Sequence, residues 1–180
     1  MFQITPIVRN LLIANVAIFF VASALHLNSI FALYNVFSEN FKPYQFITYM
    51  FLHADFNHIF KNMLTLFFFG PMLEMFWGPK KFMTFYLVCG LGGGMTYAAI
   101  NLYQSSHLRT DISAYKAAPS ADKFAALVHV HVPEIETQLL DFENDYAKNE
   151  TNPSYIKKSL EIIDQVYEQT VENSSMVGAS

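Results

Sequence analysis

The residues with the clearest chemical potential are two histidines and an asparagine, His53, His58 and Asn62. His58 and Asn62 are four residues apart, so on a helix they project from one face. An imidazole and a carboxamide one turn apart offer two hydrogen-bond donors that converge on one point, as the stabilisation of an oxyanion requires. Interhelical hydrogen bonds that hold a membrane bundle together explain the same pair, so both interpretations stay open.

The spacing of the two histidines argues against a metal site. His53 stands five residues before His58, a rotation of about 140° on a helix, and the two rings would not share a face. We therefore expect His53 in the loop before the helix. Zinc-binding helices place histidines four apart with a glutamate beside the first, whereas here that neighbour is Ala54.

The last residues, Gly178-Ala179-Ser180, contain a candidate nucleophile. Small residues at the start of a membrane helix commonly serve packing alone. A serine at a helix start also has free backbone N–H groups beside it, and these can hold an anion. Ser180 is therefore a candidate for nucleophilic catalysis if its helix begins near His58 and Asn62.

The elements that must position these residues are membrane helices. The chain is 53% hydrophobic and 14% charged, whereas soluble domains carry about 25% charged residues. Three apolar stretches approach the roughly 20 residues of a spanning helix: residues 11–27, 58–77 and 82–103. A fourth apolar run begins within 174–180. The first stretch also has features of a cleavable signal peptide, but two further spans follow it.

Basic residues predict the orientation. Arg9 precedes the first span and the Lys80-Lys81 pair lies between the second and third, so the positive-inside rule puts both in the cytoplasm. The second span and the predicted fourth helix then both start outside. His58, Asn62 and Ser180 are expected to enter the membrane from that same side.

Residues 104–173 differ in character from the rest. They contain six basic and twelve acidic residues, a net charge of −6, which excludes the basic face of a nucleic-acid-binding protein. The apolar spacing predicts an amphipathic helix at 154–172, and helices are also expected at 120–128 and 133–147. Residues 128–132 could instead form a short strand with His129 and His131 on one face, which we interpret as a solvated pair rather than a metal site.

Three motifs together resemble the rhomboid family of intramembrane serine proteases: His53…His58…Asn62 and Gly70-x-x-x-Glu74-x-x-x-Gly78, as in its second transmembrane helix, and Gly178-Ala179-Ser180, as in its Gly-x-Ser-Gly nucleophile motif. The match covers about 10–94 and 176–180. Residues 104–173 do not match the family core, whose equivalent loop is short.

The resemblance implies a role for each site residue. Ser180 would attack the scissile carbonyl, while His58, Asn62 and the Ser180 backbone N–H would stabilise the oxyanion. His53 would support the site from the outer loop, and Gly178 would support the nucleophile motif. A histidine on a later helix would be the base, and no metal or cofactor is expected.

Glu74 has a separate, structural role in this interpretation. It lies sixteen residues after His58, or about 24 Å along a helix, and so belongs at the opposite membrane face. We expect it to form hydrogen bonds that fix the second span to its surroundings. Gly70 and Gly78 would permit close approach of helices.

Two positions depart from the family pattern. Many bacterial members carry Trp-Arg in the first outer loop, where this chain has Tyr44-Gln45, which leaves the anchoring of that loop open. Lys61 stands between His58 and Asn62, where an apolar residue is commoner. It could border the same aqueous cavity and bias substrate choice, or extend toward water from an apolar stem.

The expected fold is an all-α membrane protein: a rhomboid-like helical bundle truncated to three transmembrane helices and the start of a fourth. Its expected parts are a core at 1–103, an acidic, helical, extracytoplasmic insertion at 104–173 and the nucleophile-bearing helix start at 174–180. Neither the Gly after Ser180 nor a later histidine is present, so the 180-residue chain alone should be inactive.

The expected function is that of a serine endopeptidase that cleaves transmembrane-helix substrates near their outer ends. The expected location is a multi-pass protein of the bacterial inner membrane, with lipid and membrane-spanning proteins as partners and no nucleic acid. One alternative is a non-catalytic rhomboid-like protein that binds membrane helices. Another is a protein-binding module, the acidic segment, held by a membrane anchor.

Overall fold

The computed structural model describes residues 3–177, which are mostly helical. The elements are α1 Pro6–Ala24, α2 Asn28–Phe31, β1 Leu33–Tyr34, α3 Gln45–Thr48, a 3₁₀ turn Tyr49–Phe51, α4 Phe56–Trp77, α5 Pro79–Ala117, α6 Ala121–His131, α7 Pro133–Lys148, α8 Pro153–Tyr167, a π turn Glu168–Glu172 and β2 Ser175–Met176. The described residues form two compact units, 3–99 with 175–177 (the first unit) and 100–174 (the second unit).

Within residues 3–177, three helices are long and apolar enough to cross a membrane: α1, α4 and α5. The predicted all-α membrane architecture is thereby confirmed. α1 packs against α4, and Val8, Leu11 and Phe82 form a buried cluster where α1 meets the start of α5. Large apolar side chains elsewhere on these helices are exposed, as expected of surfaces that face lipid.

All three helices begin earlier than the predicted spans, α1 at Pro6, α4 at Phe56 and α5 at Pro79, and α1 and α5 also end elsewhere. α1 ends at Ala24 rather than at residue 27, because the chain turns there and His26 adopts a φ of 53°. α5 continues past residue 103 to Ala117 without a break. Neither Pro nor Gly occurs between residues 104 and 117, so nothing in the local sequence ends the helix where its apolar character fades.

The loop between α1 and α4 is anchored by Gln45, which is fully buried. Its side-chain oxygen accepts hydrogen bonds from the backbone N–H groups of Tyr34 and Lys42, and its amide donates to the carbonyls of Ile30 and Asn40. One carboxamide thus ties together four separate points of the loop. The anchoring left open by the absence of Trp-Arg is supplied by this residue.

The end of the described chain returns to the first unit as a strand. β2 pairs antiparallel with β1, with Met176 opposite Leu33 and Ser175 opposite Tyr34. The sequence predicts the start of a helix here, but residues 175–176 are extended. The pairing satisfies backbone groups of β1 that the loop would otherwise leave unpaired.

The second unit has a core of aromatic and aliphatic side chains. Tyr115, Phe124 and Tyr146 are almost completely buried, and the Tyr115 hydroxyl lies 3.1 Å from that of Tyr146 and 2.5 Å from that of Ser159. Helices α6, α7 and α8 agree closely with the three predicted helices.

The short strand predicted at 128–132 is wrong, because residues 128–131 belong to α6. Val128 is fully buried, and its carbonyl accepts the backbone N–H of Val132 at 2.9 Å. Each of the two histidine rings contacts a different carboxylate. His129 Nδ1 lies 3.1 Å from Glu136, and His131 Nε2 lies 2.7 Å from Asp111.

Candidate active site

The start of α4 is fixed by Asp55, and this sets the register of the candidate site. The Asp55 side chain accepts the backbone N–H of His58 at 2.9 Å, which is the standard N-cap interaction. His58 is therefore in the first turn of the helix and Asn62 follows one turn later. His53 precedes the helix, as the spacing predicted.

A cavity of about 500 Å³ lies beside this turn in the first unit. It is lined by Asn15 on α1, Met50 and His53 before α4, Asn62, Met63, Thr65 and Leu66 on α4, Phe85, Tyr86, Cys89, Gly90 and Gly93 on α5, and Met176 on β2. Two of the predicted site residues, His53 and Asn62, thus meet at one cavity. His58 is not among the residues that line it.

His58 instead contacts His53 edge to face, with ring centroids 5.2 Å apart. His58 Nδ1 accepts the backbone N–H of Ala54 at 3.5 Å. An imidazole that accepts at Nδ1 carries a proton on Nε2, so this contact assigns His58 the tautomer that donates from Nε2. That Nε2 atom and His53 Nδ1 are buried with no hydrogen-bond partner among residues 3–177. Buried polar atoms of this kind indicate a place for water or a ligand.

The environment of His53 favours its neutral form. The side chain is 3% exposed, and burial lowers the pKa of the ring. Repulsion from His58 lowers the pKa of His53 further, whereas a backbone hydrogen bond at Phe51 acts in the opposite direction. At neutral pH we therefore expect an uncharged His53 that can donate from one nitrogen and accept at the other.

Glu74 joins the far end of α4 to the start of α1. Its buried carboxylate accepts the Thr5 hydroxyl at 2.5 Å and the backbone N–H groups of Ile7 and Val8 at 3.2 and 3.0 Å. Thr5 does not cap α1 with its own side chain, so Glu74 supplies the cap from another helix. An anionic acceptor at a helix N-terminus is favourable both for the free N–H groups and for the helix dipole.

Gly70 and Gly78 serve different geometric needs. A Cβ atom at Gly70 would lie 2.7 Å from a methyl group of Val8, so a larger residue would push α4 away from α1. Gly78 has a φ of +80° and ends α4, in a backbone conformation that other residues rarely adopt. Gly70 thus permits α4 to approach α1 closely, as predicted. At Gly78 a glycine is needed for its backbone conformation instead.

Ser180 and Gly178 lie outside the described residues, so the predicted nucleophile has no structural description. The nearest described residues are Met176, which lines the cavity, and Val177, which packs against Ala22, Ala32 and Leu52.

Sequence reasoning missed three polar residues at the cavity: Asn15, Thr65 and Tyr86. Asn15 is 1% exposed, and its amide donates to the carbonyl of Leu11 at 2.8 Å. A lone asparagine within an apolar span was the available signal, because polar groups inside a membrane usually face a partner or a cavity. Thr65 and Tyr86 carry no comparable signal.

No group of three or more metal-ligating side chains occurs within residues 3–177. The histidine and amide groups at the cavity can donate hydrogen bonds to an oxygen atom.

Comparison with a rhomboid relative bears on the location of the protein. The chain is 29% identical over 117 residues to RHOMBOID-like protein 12, mitochondrial, of Arabidopsis thaliana. The match includes 63% of this chain but only 35% of that relative. Three apolar helices support a membrane protein, but a relative described as mitochondrial gives no support to the bacterial inner membrane that we predicted.

Comparison with protein families identifies the domain. No solved structure matches the chain. The family model described as Rhomboid domain matches residues 40–131, slightly more than half of the chain. That range extends beyond residue 103, where we predicted that the family core ends, and the boundary stays a prediction. Given this match and the motifs in α4, the chain belongs to the rhomboid family.

Proposed function

We propose that the cavity beside α4 is part of the active site of a rhomboid-type intramembrane serine endopeptidase. The observation that carries the proposal is the meeting of His53, Asn62 and Met176 at one cavity. Met176 stands four residues before Ser180, so the described chain reaches the edge of this cavity at a residue close in sequence to the nucleophile motif.

Peptide-bond hydrolysis at this site would need a nucleophile, a base and donors that stabilise the oxyanion. The Ser180 hydroxyl would attack the carbonyl carbon of a peptide bond while a histidine from a later helix takes its proton. The histidine would give that proton to the amine that leaves as the C–N bond breaks, and water would then hydrolyse the acyl-enzyme and free Ser180. The Asn62 amide, with the Nε2–H of His58, would stabilise the negative charge that develops on the carbonyl oxygen. The substrate helix must unwind locally, because its carbonyls are otherwise hydrogen-bonded within the helix.

Hydrolysis also needs water at a depth where lipid excludes it. The polar lining from Asn15, His53, Asn62 and Thr65 gives water hydrogen-bond partners inside the bundle, and a cavity of about 500 Å³ has room for several water molecules. Polar side chains in membrane helices are retained mainly where they meet such cavities or other partners.

Sequencing the codons that follow residue 180 is the first test of the proposal. A protease requires a Gly directly after Ser180 and a later histidine to act as base. The translated product, reconstituted in vesicles with a membrane-spanning reporter substrate, should then cleave the reporter, and Ser180→Ala should abolish cleavage. Asn62→Ala should reduce kcat by about 10²-fold, as the loss of one oxyanion donor does. Cleavage that persists in Ser180→Ala contradicts the proposal.

A second candidate is a non-catalytic rhomboid-like protein that binds membrane helices. The observation that favours it is the long apolar face of α4, which remains exposed in the first unit. Binding without cleavage of the reporter by the same product, with Ser180→Ala indistinguishable from wild type, distinguishes this candidate from the protease.

A further inference from the structure

The exposed face of α4 contains a positive charge among aromatic and aliphatic side chains. Phe56, Phe60, Leu64 and Phe68 are 67%, 54%, 44% and 52% exposed. Lys61, also exposed, lies three residues before Leu64 and seven before Phe68, so it shares their side of the helix. It stands five residues after Phe56, about 7.5 Å along the helix axis.

Lys61 has no acidic partner in the described part of the chain. Lys61 and Glu74 are the charged residues of α4, and the Glu74 carboxylate is occupied by Thr5 and the first N–H groups of α1. No ion pair includes Lys61 among residues 3–177. A cation within a membrane span is costly unless it pairs or reaches water, so a carboxylate at its depth would be favoured.

We propose that this α4 face binds a partner transmembrane helix that carries an Asp or Glu near its outer end, paired with Lys61. The inference rests on the proposed function and names the class of substrate helix that would lie along α4, next to the cavity. Phe60, Leu64 and Phe68 provide the apolar contact area, and Lys61 provides selectivity for charge. A lysine that only extended toward water would contribute no such selectivity.

Fluorescence energy transfer in phosphatidylcholine vesicles at pH 8 tests this selectivity. The full 180-residue chain carries a donor at its N terminus. Acceptor-labelled peptides consist of a Leu/Ala membrane helix with Asp, Asn or Lys at the fifth position from the outer end. Polar contacts between membrane helices contribute about 0.6 to 1.7 kcal/mol, so the Asp peptide should bind roughly three- to twentyfold more tightly than the Asn peptide.

Variants of Lys61 separate the charge from the apolar surface. Lys61→Gln should bind the Asp and Asn peptides equally, and Lys61→Glu should prefer the Lys peptide over the Asp peptide. Lys80→Gln, which removes a cation from the start of α5, serves as the matched control and should keep the wild-type preference.

Three outcomes would overturn the inference: equal binding of the Asp and Asn peptides by wild type, a preference that survives Lys61→Gln, or one that Lys80→Gln abolishes. Equal, measurable binding rejects the charge selectivity while leaving helix binding intact. A lack of binding by all the peptides rejects the binding of membrane helices by this face as well, so the two failures are distinguishable.

Discussion

The first unit buries more polar side chains, and exposes more large apolar ones, than the second unit does. Asn15, His53 and Glu74 are at most 4% exposed in the first unit, where Phe69 and Phe76 are 62% and 84% exposed. The second unit buries aromatic residues such as Phe124 and Tyr146 and carries its charges outside, as in the exposed pair of Lys116 and Asp164.

The difference shows which interactions specify each fold. Lipid is as apolar as a leucine side chain, so burial of leucine gives little drive for helices to associate in a membrane. Hydrogen bonds and close contacts at small residues must then determine how α1, α4 and α5 pack. In water, burial of apolar area is itself the main driving force. Substitutions at buried polar positions should therefore affect the first unit most.

The largest expected loss of stability comes from removing the Glu74 cap. Glu74→Ala removes the acceptor of three hydrogen bonds at the start of α1, and we expect a loss of about 2–4 kcal/mol in unfolding free energy. Glu74→Gln keeps one acceptor and should lose less. Unfolding in mixed micelles of increasing sodium dodecyl sulfate fraction measures the change.

Met75→Ala provides the control for that experiment. Met75 is the neighbour of Glu74 and is 65% exposed, so its truncation should change stability by no more than about 0.5 kcal/mol. Equal effects at the two positions would show that the carboxylate does not hold α1 and α4 together.

A smaller loss of stability is expected from a substitution where α5 approaches the 3₁₀ turn. A Cβ atom at Gly94 would lie 2.9 Å from the ring of Tyr49, which is fully buried and donates its hydroxyl to the carbonyl of Gly90. Because that ring cannot move freely, Gly94→Ala should cost about 1–3 kcal/mol. The same micelle titration measures it.

Gly92 is the matched control, two residues away on the same helix. A Cβ atom there meets nothing within 4 Å, so Gly92→Ala should be neutral or stabilise the helix by up to about 1 kcal/mol. If both substitutions have the same sign, the close packing of Tyr49 against α5 is not what the glycine provides.

The smallest expected effect is a pH dependence in the second unit. Burial raises the pKa of Glu143; nearby Glu136 raises it too, and His129 opposes both. The folded state therefore binds this proton more readily than the unfolded state, and stability from this group is gained as pH falls through the folded pKa. Glu143→Gln should be more stable than wild type at pH 7.5, and the difference should shrink toward pH 4.5.

Hydrogen exchange of the α7 amides measures this difference. Glu134→Gln is the control, because Glu134 lies in the first turn of α7 and its charge favours the helix dipole. That substitution should slightly destabilise α7 at neutral pH, opposite in sign to Glu143→Gln. A Glu143→Gln variant less stable than wild type at pH 7.5 contradicts the raised pKa.

The sequence predicted the second unit well because its helices follow the apolar periodicity of a fold in water. It predicted the first unit by another route, from hydropathy, the His58–Asn62 spacing and the family motifs. The sequence could not predict contacts between residues that are far apart along the chain. Nothing near Gln45 indicates that its carboxamide joins four points of a loop, and nothing near Ser175 or Met176 indicates pairing with β1 rather than the start of a helix.

The proposed active site requires that the cavity at His53 and Asn62 admits water within the membrane. Cys89, the one cysteine of the chain, lines that cavity and reports on it directly. A charged, water-soluble methanethiosulfonate reagent should modify Cys89 in reconstituted vesicles at pH 8, as followed by mass spectrometry. Cys89 and Val88 are both exposed, but of the two only Cys89 lines the cavity. In the double variant Cys89→Ser/Val88→Cys the thiol lies outside the cavity lining, where lipid keeps the reagent away, and should not react. A wild-type chain that stays unmodified in vesicles, yet reacts once unfolded in detergent, would contradict the account.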